Sequence, residues 1–137
     1  MPIRIYLDTS AAAKLFIAER ETPDLRQWLT RQPEPRLLSS ALLGVELIRL
    51  LTLVCPAVVP AAEQFLANDV DIVEITPPVL ADATSVPPAR LRTLDAIHLA
   101  TALDLGESVD VVLTYDKLLA EAARAAGLTV ALPGAAH

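Results

Sequence analysis

Residues 3–16 read IRIYLDTSAAAKLF, and the order of residue types in this stretch decides how the chain begins to fold. The largely apolar run 3–7 predicts a short buried strand, and Ser10 followed by residues 11–16 predicts a capped helix. Asp8 stands at the junction between them. A turn or cap residue is the simpler interpretation. If the strand belongs to a parallel sheet, however, Asp8 lies at its carboxyl end, where open α/β sheets bind their ligands.

Strands and helices alternate along the rest of the sequence. Further short apolar runs predict strands at 36–40, 71–75, 109–116 and 128–132. Helical patterns lie between them, at 22–29, 41–54, 61–68, from 76 onward, at 93–106 and at 117–127. Thr22, Ser40 and Thr76 are predicted to cap three of these helices. Strands separated by helices predict one α/β domain over residues 1–137, with a central parallel sheet flanked by helices on both faces.

The composition indicates that the protein has apolar surfaces that bind other protein molecules. Hydrophobic residues make up 53% of the 137 residues and aromatic residues only 4%. The predicted helix at 41–54 is apolar on nearly every side, so we expect more than its own domain to bury it. The longest uncharged stretch, 50–62, contains Pro56 and Pro60 and is too short to span a membrane. With no signal-peptide pattern at the N-terminus, we expect a cytoplasmic protein without a membrane partner.

The charge and the cysteine content limit the possible chemistry. The single Cys55 has no disulfide partner within the chain, and no cluster of cysteines and histidines could bind zinc, so a bound metal would need oxygen ligands. The formal net charge of −6 argues against a nucleic-acid partner, because phosphate attraction dominates such binding. That objection weakens if several of the acids are metal ligands.

Four acidic residues fall at the ends of elements or in apolar surroundings. Asp116 follows a predicted strand as Asp8 does, Asp95 begins a helix among apolar residues, and Glu46 is the only acid of helix 41–54. Each has an ordinary interpretation: a turn or cap residue for the first two, a first-turn acid favoured by the helix dipole for Asp95, and an i,i+3 pair with Arg49 for Glu46. Converging carboxylates without adjacent cations repel one another, and their natural partner is Mg²⁺ or Mn²⁺.

Four segments resemble the PIN-domain nucleases, and more narrowly the VapC toxins of bacterial toxin–antitoxin pairs. They are YLDTSA (6–11), SSALLGVELIR (39–49), RTLDAIHLATAL (92–103) and VLTYDKLLAEAARAAGLTV (112–130). The similarity spans nearly the whole chain in the right order. The most specific part is LDAIHLATA, followed after a strand by the TYD pattern.

The resemblance implies a function and a set of site residues. It implies a Mg²⁺-dependent endoribonuclease, with Mn²⁺ able to substitute, that cleaves structured cellular RNA such as tRNA or rRNA and is inhibited by a cognate antitoxin. The family's acidic quartet corresponds to Asp8, Glu46, Asp95 and Asp116, and Thr114 to the hydroxyl that supports the site. Asp8 and Asp95 would be the nearest ligands, Asp116 would complete the first metal or serve a second, and Glu46 would act through water. The number of metal ions and the RNA stay open.

Other functions remain possible on the sequence alone. A DNA-directed nuclease of the same fold is the nearest alternative, and a non-catalytic binding module is another, although it would not need all four acids. A phosphoaspartyl phosphatase would carry a second aspartate where Ser10 stands. The apolar surplus predicts two interfaces, a homodimer and an antitoxin groove.

Several further residues have two interpretations. His98, one turn after Asp95, is more simply a buried hydrogen-bonding histidine than a general base. The basic residues nearest the four acids either bind RNA phosphates or are ordinary surface charges. They are Lys14, Arg20, Arg90 and Arg92.

Overall fold

The computed structural model describes residues 1–135 and contains a five-stranded, entirely parallel sheet. The strands are β1 (Arg4–Leu7), β2 (Arg36–Ser40), β3 (Val70–Val73), β4 (Val111–Leu113) and β5 (Val130–Ala131). Their order in the sheet is β3-β2-β1-β4-β5, so the first strand of the chain is the central one. The predicted α/β class and the parallel sheet are confirmed.

Seven α-helices connect the strands within residues 1–135. They are α1 (Thr9–Ala13), α2 (Thr22–Arg31), α3 (Leu42–Val54), α4 (Val59–Asn68), α5 (Pro77–Ala83), α6 (Thr93–Leu105) and α7 (Lys117–Ala125). None of the helices in this described part is long and apolar enough to cross a lipid bilayer.

The alternation of side chains along β1 divides the core into two layers. Ile5 and Leu7 pack on one face of the sheet in a cluster with apolar residues of α1, α2, α3 and α4. Tyr6 points to the other face and packs with Ala102 of α6. Helices α6 and α7 pack together on that second face. Because both faces of the sheet are covered, its strands are rich in apolar residues throughout.

The structure corrects two of the predicted helix starts. Asp8, and not Ser10, is the N-cap of α1, and its side chain accepts a hydrogen bond from the Ala11 N–H. Thr22 is already inside α2, where its hydroxyl donates to the Lys14 carbonyl instead of capping the helix. Both threonine and serine can bond to nearby backbone in several ways, so a hydroxyl before an apolar run does not fix the cap position.

Of the other two predicted caps, Thr76 is an N-cap as predicted, whereas Ser40 is not, because the N-cap of α3 is Ala41. Thr76 caps α5 by accepting a hydrogen bond from the Val79 N–H, and the Ser40 hydroxyl accepts one from Leu42 at the start of α3. Helix α3 buries Leu43, Leu47 and Leu51, while three apolar side chains of the same helix stay exposed. These are Val45, Leu53 and Val54, with 62%, 83% and 54% of their surface accessible.

Candidate active site

The acidic residues gather at the carboxyl edge of the sheet. Asp8 directly follows β1, and Asp116 follows the neighbouring strand β4 after two intervening residues. Asp95 lies in the first turn of α6, and Glu46 lies in the second turn of α3. Since α3 and α6 pack on opposite faces of the sheet, the four acids approach this edge from three directions.

Asp8 is almost completely buried, with 2% of its surface exposed, and both of its carboxylate oxygens accept hydrogen bonds. Oδ1 accepts from the Ser10 hydroxyl at 2.7 Å and from the Ala11 N–H at 3.1 Å. Oδ2 accepts from the Thr114 hydroxyl at 2.7 Å, and it lies 2.9 Å from the Ser10 hydroxyl. A buried carboxylate is tolerated only when it is satisfied in this way.

Thr114 and Ser10 also tie the end of β1 to the residues after β4. The Thr114 hydroxyl accepts a hydrogen bond from the Asp116 N–H at 3.1 Å while donating its own proton to Asp8. The Ser10 hydroxyl does the same with the Tyr115 N–H, at 2.9 Å. Thr114 is the supporting hydroxyl that the resemblance implies, and Ser10 is a second one that was not predicted, although it lies two residues after an aspartate at a strand end.

Glu46 is held by residues from both layers. Its Oε1 accepts a hydrogen bond from the Thr9 hydroxyl at 2.9 Å and lies 2.7 Å from Nε2 of His98. The other ring nitrogen of His98, Nδ1, lies 2.8 Å from the Tyr6 hydroxyl. The i,i+3 pair with Arg49 is therefore wrong for Glu46, because its hydrogen bonds run to α1 and α6 instead. His98 is a buried hydrogen-bonding residue, as the simpler interpretation had it.

Asp95 is the carboxyl group whose pKa is raised by burial and also by the charges of the other acids. Burial, followed by the charges of Asp116, Asp8 and Glu46, raises the pKa of Asp95 from 3.8 to about 6, while the nearby His98 opposes the shift. Charges act on a pKa in this way only at short range, so the four acids share one electrostatic environment. We conclude that the structure brings together the acids that the sequence singled out.

Burial and hydrogen bonding oppose each other at both Asp8 and Glu46, and the net pKa shifts have opposite signs. Burial raises the pKa of Asp8, and the hydrogen bonds from Ser10, Thr114 and Ala11 offset this only in part. Burial also acts to raise the pKa of Glu46, but the hydrogen bond and the charge of His98 outweigh it, so the pKa of Glu46 falls below its usual value. Glu46 is thus more readily ionised than an ordinary glutamate.

Asp116 has an ordinary structural role as well. Its Oδ1 accepts a hydrogen bond from the Leu119 N–H at 2.9 Å and caps α7. The cap interpretation and the site interpretation are compatible for both strand-end aspartates, because Asp8 and Asp116 each cap a helix that starts at the acidic edge. A helix N-terminus carries positive partial charge, which favours a carboxylate there.

The donor set suits a hard divalent cation, although it is not assembled around one. The four side chains offer carboxylate oxygens, the ligands that Mg²⁺ and Mn²⁺ prefer, and the raised pKa of Asp95 records a repulsion that a cation would relieve. Within residues 1–135, however, no three acidic, histidine or cysteine side chains form a ready-made metal-binding group. A cation at this edge would be held by one or two of these carboxylates and by bound water.

The nearby basic residues differ in whether an acidic side chain already lies within ion-pair distance of them. The Lys14 ammonium lies 3.3 Å from a Glu19 oxygen and 3.1 Å from a Glu21 oxygen, and it also sits 4.8 Å from the centre of the Tyr115 ring. Arg20 lies 4.0 Å from Glu21. These carboxylates compete with any phosphate for both side chains. Arg90 and Arg92 are exposed in the segment that leads into α6 and Asp95.

The fold and the site define a known class of protein. A model of the PIN domain family matches residues 5–125, which include all four acids and Thr114. The chain therefore belongs to the PIN domain family.

Curated relatives narrow the class to the VapC ribonucleases. The chain is 43% identical to ribonuclease VapC35 of Mycobacterium tuberculosis over 135 residues, which cover 97% of this chain and 99% of the relative. It is 40% identical to ribonuclease VapC47 of the same species over 133 residues, covering 96% and 98% of the two chains. The resemblance stated from the sequence is confirmed.

Solved structures support the same fold. The crystal structure of M. tuberculosis VapC20, described as a toxin that cleaves the sarcin-ricin loop, superposes with a TM-score of 0.74 at 20% identity, covering 94% of this chain and 99% of that one. A chain of a toxin–antitoxin complex from Klebsiella pneumoniae superposes with a TM-score of 0.62 at 20% identity, covering 82% and 86%. At this level of identity the likeness concerns the architecture alone.

Proposed function

We propose that the chain is the toxin of a toxin–antitoxin pair and that it hydrolyses phosphodiester bonds of structured cellular RNA with the help of a divalent cation. The observation that carries this proposal is the convergence of Asp8, Glu46, Asp95 and Asp116 at one edge of the sheet. Their mutual repulsion is recorded in the raised pKa of Asp95. The relatives named VapC ribonucleases support the reaction, and the DNA-directed alternative has no comparable support.

The four acids would have different roles in holding the cation, according to their surroundings. Asp8 and Asp95 would hold the cation most directly, Asp116 would complete the site, and Glu46 would contribute its ionised carboxylate from the α3 side. Mg²⁺ is the expected ion, with Mn²⁺ as a substitute, and such an ion supplies a water of lowered pKa and offsets charge on the scissile phosphate. Ser10 and Thr114 would hold Asp8 in place through their hydroxyls.

The substrate would have to approach an acidic chain. The formal net charge of −6 repels RNA as a whole, so the cations at the site edge matter. Arg90 and Arg92 are the best placed to contact phosphates, because they are exposed and precede the helix that carries Asp95. Lys14 and Arg20 are less suited, since acidic side chains already neutralise them. We expect tRNA or rRNA as the substrate.

Two protein partners follow from the same proposal. The toxin–antitoxin complex among the structural neighbours supports a cognate antitoxin that blocks the site. The exposed apolar residues of α3, led by Leu53 at 83% exposure, support a homodimer. An RNA-cleaving toxin would work in the cytoplasm, where its substrate is found.

The decisive experiment is RNA cleavage by the purified chain. Wild-type protein is incubated with total RNA and Mg²⁺ or Mn²⁺, with EDTA as one control and Asp95→Asn as the other, and single-stranded and duplex DNA are tested in parallel. We expect metal-dependent RNA cleavage that is lost in EDTA and in Asp95→Asn. Cleavage that survives EDTA would refute the role of the cation, and cleavage of DNA alone would replace RNA as the substrate.

A further inference from the structure

A chain of hydrogen-bonded side chains crosses the active site from one helical layer to the other. The Tyr6 hydroxyl lies 2.8 Å from His98 Nδ1, His98 Nε2 lies 2.7 Å from Glu46 Oε1, and Thr9 donates to that same oxygen at 2.9 Å. Helix α6 carries His98 on the Tyr6 face of the sheet, and α3 carries Glu46 on the opposite face. The bond between His98 and Glu46 therefore joins the two layers at the acidic edge.

One donor along this chain is fixed, whereas the hydrogen bond between Tyr6 and His98 can run in either direction, depending on whether Nδ1 of His98 carries a proton. The Glu46 carboxylate is an acceptor, since Thr9 already donates to it, so His98 must present an N–H at Nε2. That leaves Nδ1 for the Tyr6 hydroxyl. Tyr6 and His98 are each only 1% exposed, so water cannot readily replace either partner. The hydroxyl of Tyr6 thus fixes the ring of His98, and the ring in turn fixes the carboxylate.

From this geometry we propose that His98, braced by Tyr6, is a positioning residue that holds the Glu46 carboxylate in one orientation at the acidic edge. The role deepens the proposed nuclease function and rests on it. His98 does not itself reach the substrate, because both of its ring nitrogens are engaged and the side chain is buried. Outer partners that orient ligating side chains in this way typically change activity or metal affinity 10–100-fold when removed, by order of magnitude.

Nitrogen NMR of the histidine ring tests the geometry without any substrate. The chain has only two histidines, so a His137→Ala variant leaves the His98 ring as the single signal. We expect the proton on Nε2 and a hydrogen bond at Nδ1 that disappears in Tyr6→Phe. Tyr115→Phe is the matched control, because it removes a hydroxyl that donates to the Pro133 carbonyl instead. A ring that carries its proton on Nδ1, with Nε2 bare, overturns the proposal.

A double-mutant cycle on RNA cleavage tests whether His98 acts through Glu46. We expect His98→Ala to lower kcat by about 10–100-fold with a much smaller change in KM, and Tyr6→Phe to lower kcat by about 3–10-fold. In a Glu46→Gln background, His98→Ala should cost little further activity, because the group it positions is already gone. Additive losses would mean that His98 acts independently of Glu46 and would overturn the proposal.

Two further measurements keep the outcomes distinct. His98→Gln places an amide N–H near the position of Nε2 and should restore part of kcat, and it serves in the cycle if the alanine variant fails to fold. Thermal melts confirm that each variant is folded at the assay temperature. A wild-type protein with the expected ring state but without metal-dependent RNA cleavage would refute the proposed function, and the positioning role with it. A cleaving wild type with the opposite ring state would refute the positioning role alone.

Discussion

Asp8 and Asp95 belong to the same acidic edge but are held in opposite ways. Asp8 is 2% exposed, and its oxygens accept hydrogen bonds from two hydroxyls and a backbone N–H. Asp95 is half-buried, and its pKa rises to about 6 chiefly through burial and the charges of its neighbours. Burial raises the pKa of both carboxyl groups, but hydrogen bonds oppose the shift at Asp8, whereas the charges of neighbouring acids add to it at Asp95.

The difference indicates two separate roles: Asp8 would preorganise the site, and Asp95 would contribute to its affinity for a cation. A fixed Asp8 provides a reference point for the reacting groups, because its position is determined by Ser10, Thr114 and the start of α1. Asp95 would contribute to the affinity for a cation, because a cation bound at this edge would offset the charges that help to raise its pKa. Substitutions at Asp8 or its hydrogen-bond donors and at Asp95 should therefore change the free energy of unfolding in opposite directions.

The largest effect is expected from the loss of a hydrogen bond to Asp8. Thr114→Val keeps the shape of the side chain but leaves Asp8 without one donor and the Asp116 N–H without its acceptor. RNA cleavage should fall by about 10–100-fold, and the free energy of unfolding should fall by about 1–3 kcal/mol. Thr22→Val is the matched control, since Thr22 is also buried but its hydroxyl accepts from the Glu19 N–H and donates to the Lys14 carbonyl, away from the four acids. Equal losses in the two variants would show that Thr114 has no special role.

A cation should stabilise the whole edge by a comparable amount. A metal ion at about 100 times its Kd adds about 2.7 kcal/mol to the stability of a protein that binds it only when folded. In a domain of this size that corresponds to a rise in melting temperature of roughly 8–13 °C. Melts of wild type and Asp95→Asn, with EDTA and with millimolar Mg²⁺ or Mn²⁺, measure it. The rise should be smaller in the variant, and an equal rise would place the ion elsewhere.

Asp95→Asn should stabilise the metal-free protein at neutral pH. The shift in pKa from 3.8 to about 6 corresponds to at most ~3 kcal/mol, and screening of this half-buried group reduces the expected gain to about 1–2 kcal/mol. Between these two pH values the folded chain holds a proton that the unfolded chain has released, so wild-type stability falls as the pH rises through that window. The variant lacks this fall.

Chemical denaturation of both proteins at pH 4 and pH 7, in EDTA, checks the sign. The advantage of Asp95→Asn should appear at pH 7 and vanish near pH 4. Asp8→Asn should give no such gain, because an amide presents N–H donors to hydroxyls that already donate to Asp8. A stabilising Asp8→Asn would mean that the two carboxylates are held alike.

The smallest effect is expected at a cap outside the edge. Thr76→Ala removes the hydroxyl that accepts from Val79 at the start of α5 and should cost about 1 kcal/mol. RNA cleavage at temperatures where the variant is folded should stay unchanged. Asp116→Ala removes a cap of the same kind at α7, but we expect it to abolish cleavage as well. Similar activities in the two variants would reduce Asp116 to a cap.

Most of the fold could be predicted from the sequence because local patterns determine it. Apolar runs alternating with helical segments give the parallel sheet, and an aspartate directly after such a run lies at its carboxyl edge. The hydrogen-bond partners of the site hydroxyls are harder to predict from the sequence. The contact of Ser10 with the Tyr115 N–H, for example, depends on how β1 and β4 pair. The contact of His98 with Glu46 depends on where α3 and α6 meet past the end of the sheet, and no local pattern encodes that.

The central position of β1 has a consequence for the time at which activity can arise. The Thr114 hydroxyl that donates to Asp8 lies 106 residues further along the chain, so it is synthesised well after Asp8. At about 5–20 residues per second, a ribosome needs roughly 5–20 s to cover that distance. During this interval the nascent chain has neither the neighbouring strand β4 nor a buried place for Asp8. The acidic edge of a growing chain therefore stays incomplete until β4 and Thr114 have been synthesised.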